Sequence, residues 1–294
     1  MFDTNKLTTQ ENISLSDTIG LVAPKATPLF SLLLAQGRTV KAGGKYHVWR
    51  EKTLDNSNAT ALEGAIPNMV NSGRAELNNV TQIFSKGTEV SGTAQATEIG
   101  ASQSDLLLSE INDRQIELAI AIEKALLTGV KNDGSNGEAR QMDGLVNWIH
   151  VDNVVEADAV ISEKDIRSLA KALFEAGNEE GEFYAFVNAD MKEAIDEIFA
   201  DKYSYVHKTN EFGIVVDEVV TSFGTINVVL DRFAPVNKIV AVNVDALKLA
   251  MLREPHYEEL AKTGDSIKGM TVAEISIEVA SKKAVAVLNV TPAV

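Results

Sequence analysis

The sequence predicts an α+β fold in which strand-forming stretches are set around one dominant helix. A single apolar stripe at three- and four-residue spacing runs through 102–129, and β-favouring runs flank a polar stretch near the N-terminus. A third sign is the residue-by-residue alternation of apolar and polar side chains over 271–279.

The elements follow in chain order. Pro24 and Pro28 interrupt 15–34 (LSDTIGLVAPKATPLFSLLL), so this stretch reads as an extended arm with a short helical piece. Tyr46, His47, Val48 and Trp49 form a strand behind Gly43 and Gly44, and 80–95 (VTQIFSKGTEVSGTAQ) reads as its returning partner. The tip between them, 56–73, reads as polar and without an apolar face. Two strands alone are marginal in water, so a hairpin of this length needs a partner surface. Ser102 and Asp105 fit a capping box ahead of the helix, and Gly129 ends it. At 1.5 Å per residue the helix runs roughly 40 Å. A second helix is expected over 162–177, capped by Ser162 and Asp165, with Ile166, Leu169, Ala170, Leu173 and Phe174 on one face. Residues 183–187 read as a buried strand, and Asn188 caps a helix bearing Met191, Ile195, Ile198 and Phe199. Residues 203–213 read as a polar loop, then 226–230 and 238–244 as strands. The C-terminus reads as a hairpin of 271–279 with 284–290, its Ala273, Ile275, Ile277 and Val279 face dry and its Glu274, Ser276 and Glu278 face wet.

Composition narrows the function. The 294 residues can bury a substantial core in one large or two modest domains. No run reaches the ~18 apolar residues of a membrane span, and the first residues lack the pattern of a signal peptide. With no cysteine, thiolate catalysis and thiolate metal sites are excluded. A net charge of −15 with scattered basic residues argues against a nucleic-acid groove.

Motifs for chemistry are sparse. His47, His150, His207 and His256 are far apart, and only His256 and Glu259 stand at helical spacing, too few ligands for a metal. The loop from Gly129 to Ser135 lacks the lysine of a phosphate loop and follows a helix. Ser168 and Lys171 match S-x-x-K, and Lys262, Thr263 and Gly264 match K-T-G, two signatures of penicillin-recognising serine hydrolases. Ser168 stands mid-helix, however, and the Ser-Asp-Asn element between them is missing. No catalytic, cofactor or metal residue is assigned, and the chain reads as a non-enzyme without cofactors.

The order of elements, with the phrases DTIGLVAPKATPLFSLL (17–33), GGKYHVWRE (43–51), ELAIAIEKALLTG (117–129), RQMDGLVNWI (140–149), VVLDRFAP (228–235) and KTGDSIKGMTVAEISIEVASKKAVAVLNV (262–290), resembles the major capsid proteins of tailed double-stranded-DNA bacteriophages, the Hong Kong 97-type fold. The resemblance covers nearly the whole chain. It implies an N-terminal arm at 1–40 and an extended loop at 41–92 lying over a neighbouring subunit. It further implies a peripheral domain at 93–144 and 256–294 with the spine helix 102–129, and an axial domain at 145–255 whose axis-facing loop is 203–213. Lys45, Arg50, Glu51, Glu63 and Arg74 become candidates for inter-subunit contact.

The implied partners are copies of the chain in pentamers and hexamers, with scaffolding, portal and decoration proteins besides. Packaged double-stranded DNA is held without sequence-specific binding, and no membrane is involved. The implied location is the virion capsid, after assembly in the host cytoplasm. Because the chain begins almost directly at the arm, a separate scaffold or none is expected. The alternatives are an encapsulin-like compartment shell of the same fold and, from other classes, a serine hydrolase built on Ser168, Lys171 and Lys262–Gly264 and a generic α/β binding module.

Overall fold

The computed structural model describes residues 27–54, 60, 62–66, 69, 71–96, 106–178, 183–199, 205–209 and 215–291. The arm before residue 27, the Ser102–Asp105 cap and parts of the hairpin tip and of the 203–213 loop lie outside them. In order the chain forms α1 (Pro28–Ala35), β1 (Thr39–Lys41), β2 (Tyr46–Thr53), β3 (Gly73–Val80), β4 (Gln82–Ser91), α2 (Gly92–Ala96) and α3 (Leu106–Thr128). There follow β5 (Val154–Ala157), α4 (Glu163–Glu175), β6 (Phe183–Val187), α5 (Ala189–Phe199), β7 (Tyr205–Thr209), β8 (Val215–Thr221) and β9 (Gly224–Leu230). The last strands are β10 (Lys238–Asn243), β11 (Leu247–Glu259), β12 (Ser266–Val279) and β13 (Val285–Val290). The described strands make three sheets, ordered β1-β11-β12-β4, β5-β13-β10-β6-β9-β8-β7, and the pair β2-β3.

The residues fall into two units. One contains Ser85–Leu118 and Pro255–Val272. Its surface is laced with ion pairs: Lys86 with Glu117 at 3.4 Å, Arg114 with Glu117 at 2.6 Å, and Lys268 with Glu89 at 3.1 Å. Such exposed pairs contribute little each, typically about 0.2–1 kcal/mol.

The other unit contains Ala26–Phe84, Ala119–Glu254 and Ala273–Val294. Its core lies between the seven-stranded sheet and the apolar faces of α4 and α5, where Ile166, Leu169, Leu173, Phe183, Ile195 and Leu288 are buried. Helix α4 starts where the capping box predicts: the Asp165 carboxylate accepts the Ser162 N–H at 2.8 Å and its hydroxyl at 2.6 Å. Asn188 caps α5 by accepting the Met191 N–H at 3.0 Å. Every residue of β6 is buried, which matches its unbroken apolar sequence FYAFV.

Four expectations are corrected. The strand that returns from the hairpin tip is β3, not 80–95; β4 starts two residues after β3 and belongs to the four-stranded sheet. Thr81 makes the break between them, its N–H bonded to the Lys45 carbonyl at 2.9 Å. Second, 205–209 of the expected polar loop is strand β7, paired antiparallel with β8. Third, β12 and β13 are not a hairpin. The chain passes through a turn at Lys282–Ala284, and β13 pairs with β10 and β5 in a different sheet. Nor does β12 have a wet face, because Glu274, Ser276 and Glu278 are all buried under side chains from other segments. Fourth, His256 and Glu259 lie on strand β11, where a spacing of three puts side chains on opposite faces.

Candidate assembly surface

The hairpin β2–β3 is anchored at its root, and the described apolar side chains of its tip are exposed. Its register runs from Tyr46 opposite Val80 to Thr53 opposite Gly73. Alternation along β2 sends His47, Trp49 and Glu51 inward and leaves Tyr46, Val48 and Arg50 exposed. His47 Nε2 stands 2.6 Å from Glu278 Oε2, and the Trp49 indole N–H donates to the Val279 carbonyl at 2.8 Å. The Trp49 and Trp148 rings meet at 5.2 Å between centroids, and Ser281 donates to the Glu51 carboxylate. On β3 the buried Asn79 amide donates to the carbonyls of Asp143 at 3.0 Å and Ile277 at 3.1 Å. Aromatic contact of this kind adds about 0.5–1.5 kcal/mol beyond area.

Past Glu51 the described apolar side chains turn to solvent: Leu54 is 70% exposed, Leu62 85%, Ile66 87% and Met69 83%. The described part of the tip therefore carries exposed apolar side chains in a stretch that reads as polar in the sequence. Full burial of one such side chain is worth about 1.5–3 kcal/mol, a gain this chain leaves unrealised.

The site residues named from the sequence are spread along the same hairpin. Lys45 is exposed, its Nζ over the Tyr46 ring at 5.1 Å. Arg50 stands opposite Glu76, and the exposed Arg74 opposite Lys52. Glu63 is exposed in the tip. Glu51 differs, since its carboxylate is engaged by Ser281 of the same chain. Lys52 and Arg74 put like charges directly across the pair, a mildly unfavourable arrangement within the hairpin. Sequence reading missed Leu54, Leu62, Ile66 and Met69. The signal was present, because Leu62, Ile66 and Met69 recur at four- and three-residue spacing inside a polar stretch.

The residues weighed for chemistry each have a local structural setting. Ser168 is half-buried midway along α4, and Lys171 pairs with Glu175 at 3.4 Å. Lys262 lies in the β11–β12 loop, 4.0 Å from Asp265. The Gly129–Ser135 loop is a turn closed by side chains, Asn132 accepting the Gly134 N–H and Asp133 the Ser135 N–H, each at 2.9 Å.

A family model described as SU10 major capsid protein matches residues 2–292. The chain belongs to the SU10 major capsid protein family. Solved structures agree on the fold of this major capsid protein, which is of the Hong Kong 97 type. One from Mycobacterium phage Bobi is 12% identical, with a TM-score of 0.67 over 99% of this chain and 99% of that one. The capsid of cyanophage P-SCSP1u is 12% identical, with a TM-score of 0.63 over 99% and 97%. The holo-SrpI encapsulin complex from Synechococcus elongatus is also 12% identical, with a TM-score of 0.62 over 94% and 92%. At these identities the likeness is one of fold. Comparison with curated proteins gave no match. As a member of this family the chain is a structural, shell-forming protein.

Proposed function

We propose that this major capsid protein closes with copies of itself, as pentamers and hexamers, into the icosahedral head of a tailed bacteriophage around double-stranded DNA. The observation that carries the reading is the hairpin: its root is fixed by buried hydrogen bonds, while Leu54, Leu62, Ile66 and Met69 at its tip are left in water. A neighbouring copy supplies the missing cover, and Lys45, Arg50, Glu63 and Arg74 rim the contact. Many modest contacts of this kind add up through multivalency. The hairpin proper is 46–80, the core of the 41–92 loop. The arm at 1–40, peripheral domain at 93–144 and 256–294 and axial domain at 145–255 keep the roles set out above. Net charge −15 limits adhesion to the packaged genome, which is held without sequence-specific contacts. Scaffolding, portal and decoration proteins, and assembly in the host cytoplasm, belong to the same reading.

Electron microscopy of negatively stained, expressed protein tests it. Regular hollow particles are expected, and a chain that stays monomeric at high concentration rejects the shell. Particles recovered from a phage lysate carry nuclease-protected DNA on this reading. Particles filled with protein cargo instead support the compartment shell.

A further inference from the structure

Helix α1 is held from within the fold. Glu123 on α3 is 0% exposed, and its two carboxylate oxygens accept the N–H groups of Leu29 and Phe30, each at 2.8 Å. These belong to the first turn of α1, whose donors have no partner inside the helix; Pro28, at its start, has none to give. Beside Glu123 lies Asp231, in the turn after β9, also 0% exposed. Its Oδ1 accepts the Phe233 N–H at 2.8 Å. Its Oδ2 is buried and, among the described residues, accepts from no N–H or O–H.

Among the described residues, the neighbouring cations are turned elsewhere. Lys124, next on α3, is exposed and lies over the Phe233 ring at 4.9 Å, Arg232 is exposed in the β9–β10 turn, and α1 carries no charged residue. Burial and the neighbouring Asp231 carboxyl push Glu123 well above the usual carboxylate range, and burial raises Asp231 as well. Two full negative charges side by side in a dry site are strongly disfavoured, so the pair retains one proton and titrates as a unit. That shared proton supplies the donor that Asp231 Oδ2 lacks. The one remaining negative charge belongs to the pair as a whole, beside the positive end of α1.

We propose that Glu123 and Asp231 form a proton-operated latch on α1, holding its first turn to α3 while one proton lies between them and releasing it when that proton leaves. The direction is set by linkage. A carboxyl pair whose folded form binds protons more tightly than the unfolded chain stabilises the fold fully below the ordinary carboxylate range. That contribution is lost as pH rises through the raised value, so α1 loosens on the alkaline side. The latch thus governs how firmly the first turn of α1 is held to α3. It operates in a single subunit, whether or not a shell forms.

Hydrogen exchange of the full-length, unassembled chain tests the latch. Protection of peptides spanning 27–36, corrected for intrinsic exchange rates, is compared between about pH 5 and about pH 9 with that of the β6 core. In the wild type the α1 protection is expected to fall roughly tenfold or more, while β6 is unchanged. Asp231→Asn places a permanent amide donor beside Glu123 and is expected to flatten the α1 profile. Glu123→Gln, with one acceptor oxygen for two N–H groups, is expected to lower protection at every pH. A wild-type α1 profile that is flat, or that falls only in step with β6, overturns the latch even if neither variant folds. So does an Asp231→Asn profile parallel to the wild type.

Discussion

His47 on β2 and Glu278 on β12 meet through a 2.6 Å contact between Nε2 and Oε2, with only about a tenth of either side chain exposed. This contact ties the root of the hairpin to β12. Glu278 also receives Lys248 at 3.2 Å, so one buried carboxylate ties β2, β11 and β12 together. The alternation that sends His47 inward sends Trp49 inward two residues later, onto the Val279 carbonyl and the Trp148 ring.

Removing that carboxylate leaves the buried His47 ring without its partner, while the half-exposed Lys248 turns to water. Glu278→Ala is expected to destabilise the subunit by about 2–4 kcal/mol, read as a lower urea midpoint for unassembled protein. Trp49 and Trp148 are the two tryptophans of the chain. Their emission should therefore shift red in native buffer as the root of the hairpin loosens. An unchanged midpoint and spectrum would show that the root is held by the backbone of β2 and β3 alone.

Glu274, two turns of the pleat earlier on β12, is the larger hub. It receives Arg140 at 2.7 Å, Arg253 at 3.2 Å and the Thr81 hydroxyl at 3.1 Å, with its own side chain 7% exposed. Glu274→Gln keeps the shape but removes the charge that balances two guanidinium groups. A loss of about 1–3 kcal/mol is expected, and Glu274→Leu should cost more, because it leaves Arg140 half-buried with no acceptor there. Thermal unfolding of the two variants ranks them, and the reverse order refutes the hub.

The buried carboxylates of β12 also show where sequence reading stops. Local chemistry was legible: Ser162 with Asp165 and Asn188 mark helix starts because a cap needs only residues within three positions of it. The apolar run of β6 identified a buried strand in the same way. Glu274, Ser276 and Glu278 read as solvent-facing because nothing nearby in sequence indicates that Arg140, Arg253, His47 and Lys248 come to cover them. Strand β3 was missed because Gly73, Asn78 and Asn79 are turn formers by composition. Its pairing comes from β2, and Asn79 spends its amide on distant carbonyls rather than on a local turn. The hairpin tip failed for a different reason: its apolar residues were legible, but a polar background masked them.

Close backbone approach at the end of α3 gives a third expectation. A Cβ on Gly144 would lie 2.5 Å from the Gly129 nitrogen and 2.9 Å from the Ala125 carbonyl oxygen, so backbone must move to admit it. Gly144→Ala is expected to cost roughly 1–3 kcal/mol or more. Gly137→Ala serves as the comparison, since Gly137 has φ +80° but open space around its Cβ position. It should cost only the left-handed backbone penalty, about 1–2 kcal/mol. Equal losses in a denaturant titration would mean that the contact at Gly144 relaxes freely.

Substitutions at the hairpin tip test folding and assembly separately. Leu62, Ile66 and Met69 are 83–87% exposed in the single subunit, so replacing all three with serine removes almost no contact within it. The thermal midpoint of unassembled protein is expected to stay within about 0.5 kcal/mol equivalent of wild type. Assembly depends on these same side chains if a neighbouring copy covers them, at about 1.5–3 kcal/mol for each one buried, so light scattering should show particle formation lost or shifted to much higher concentration. Charge adds a second handle. Arg74→Glu turns the like-charge pair with Lys52 into an opposite-charge pair, worth about 0.2–1 kcal/mol to the hairpin itself. It also removes a cation that an acidic neighbour would attract, so assembly of this variant should slow while its subunit is no less stable. Added salt screens that attraction, so the difference in assembly between wild type and the Arg74→Glu variant should shrink as salt rises. A serine variant that assembles like wild type would place the neighbour's contact elsewhere on the chain.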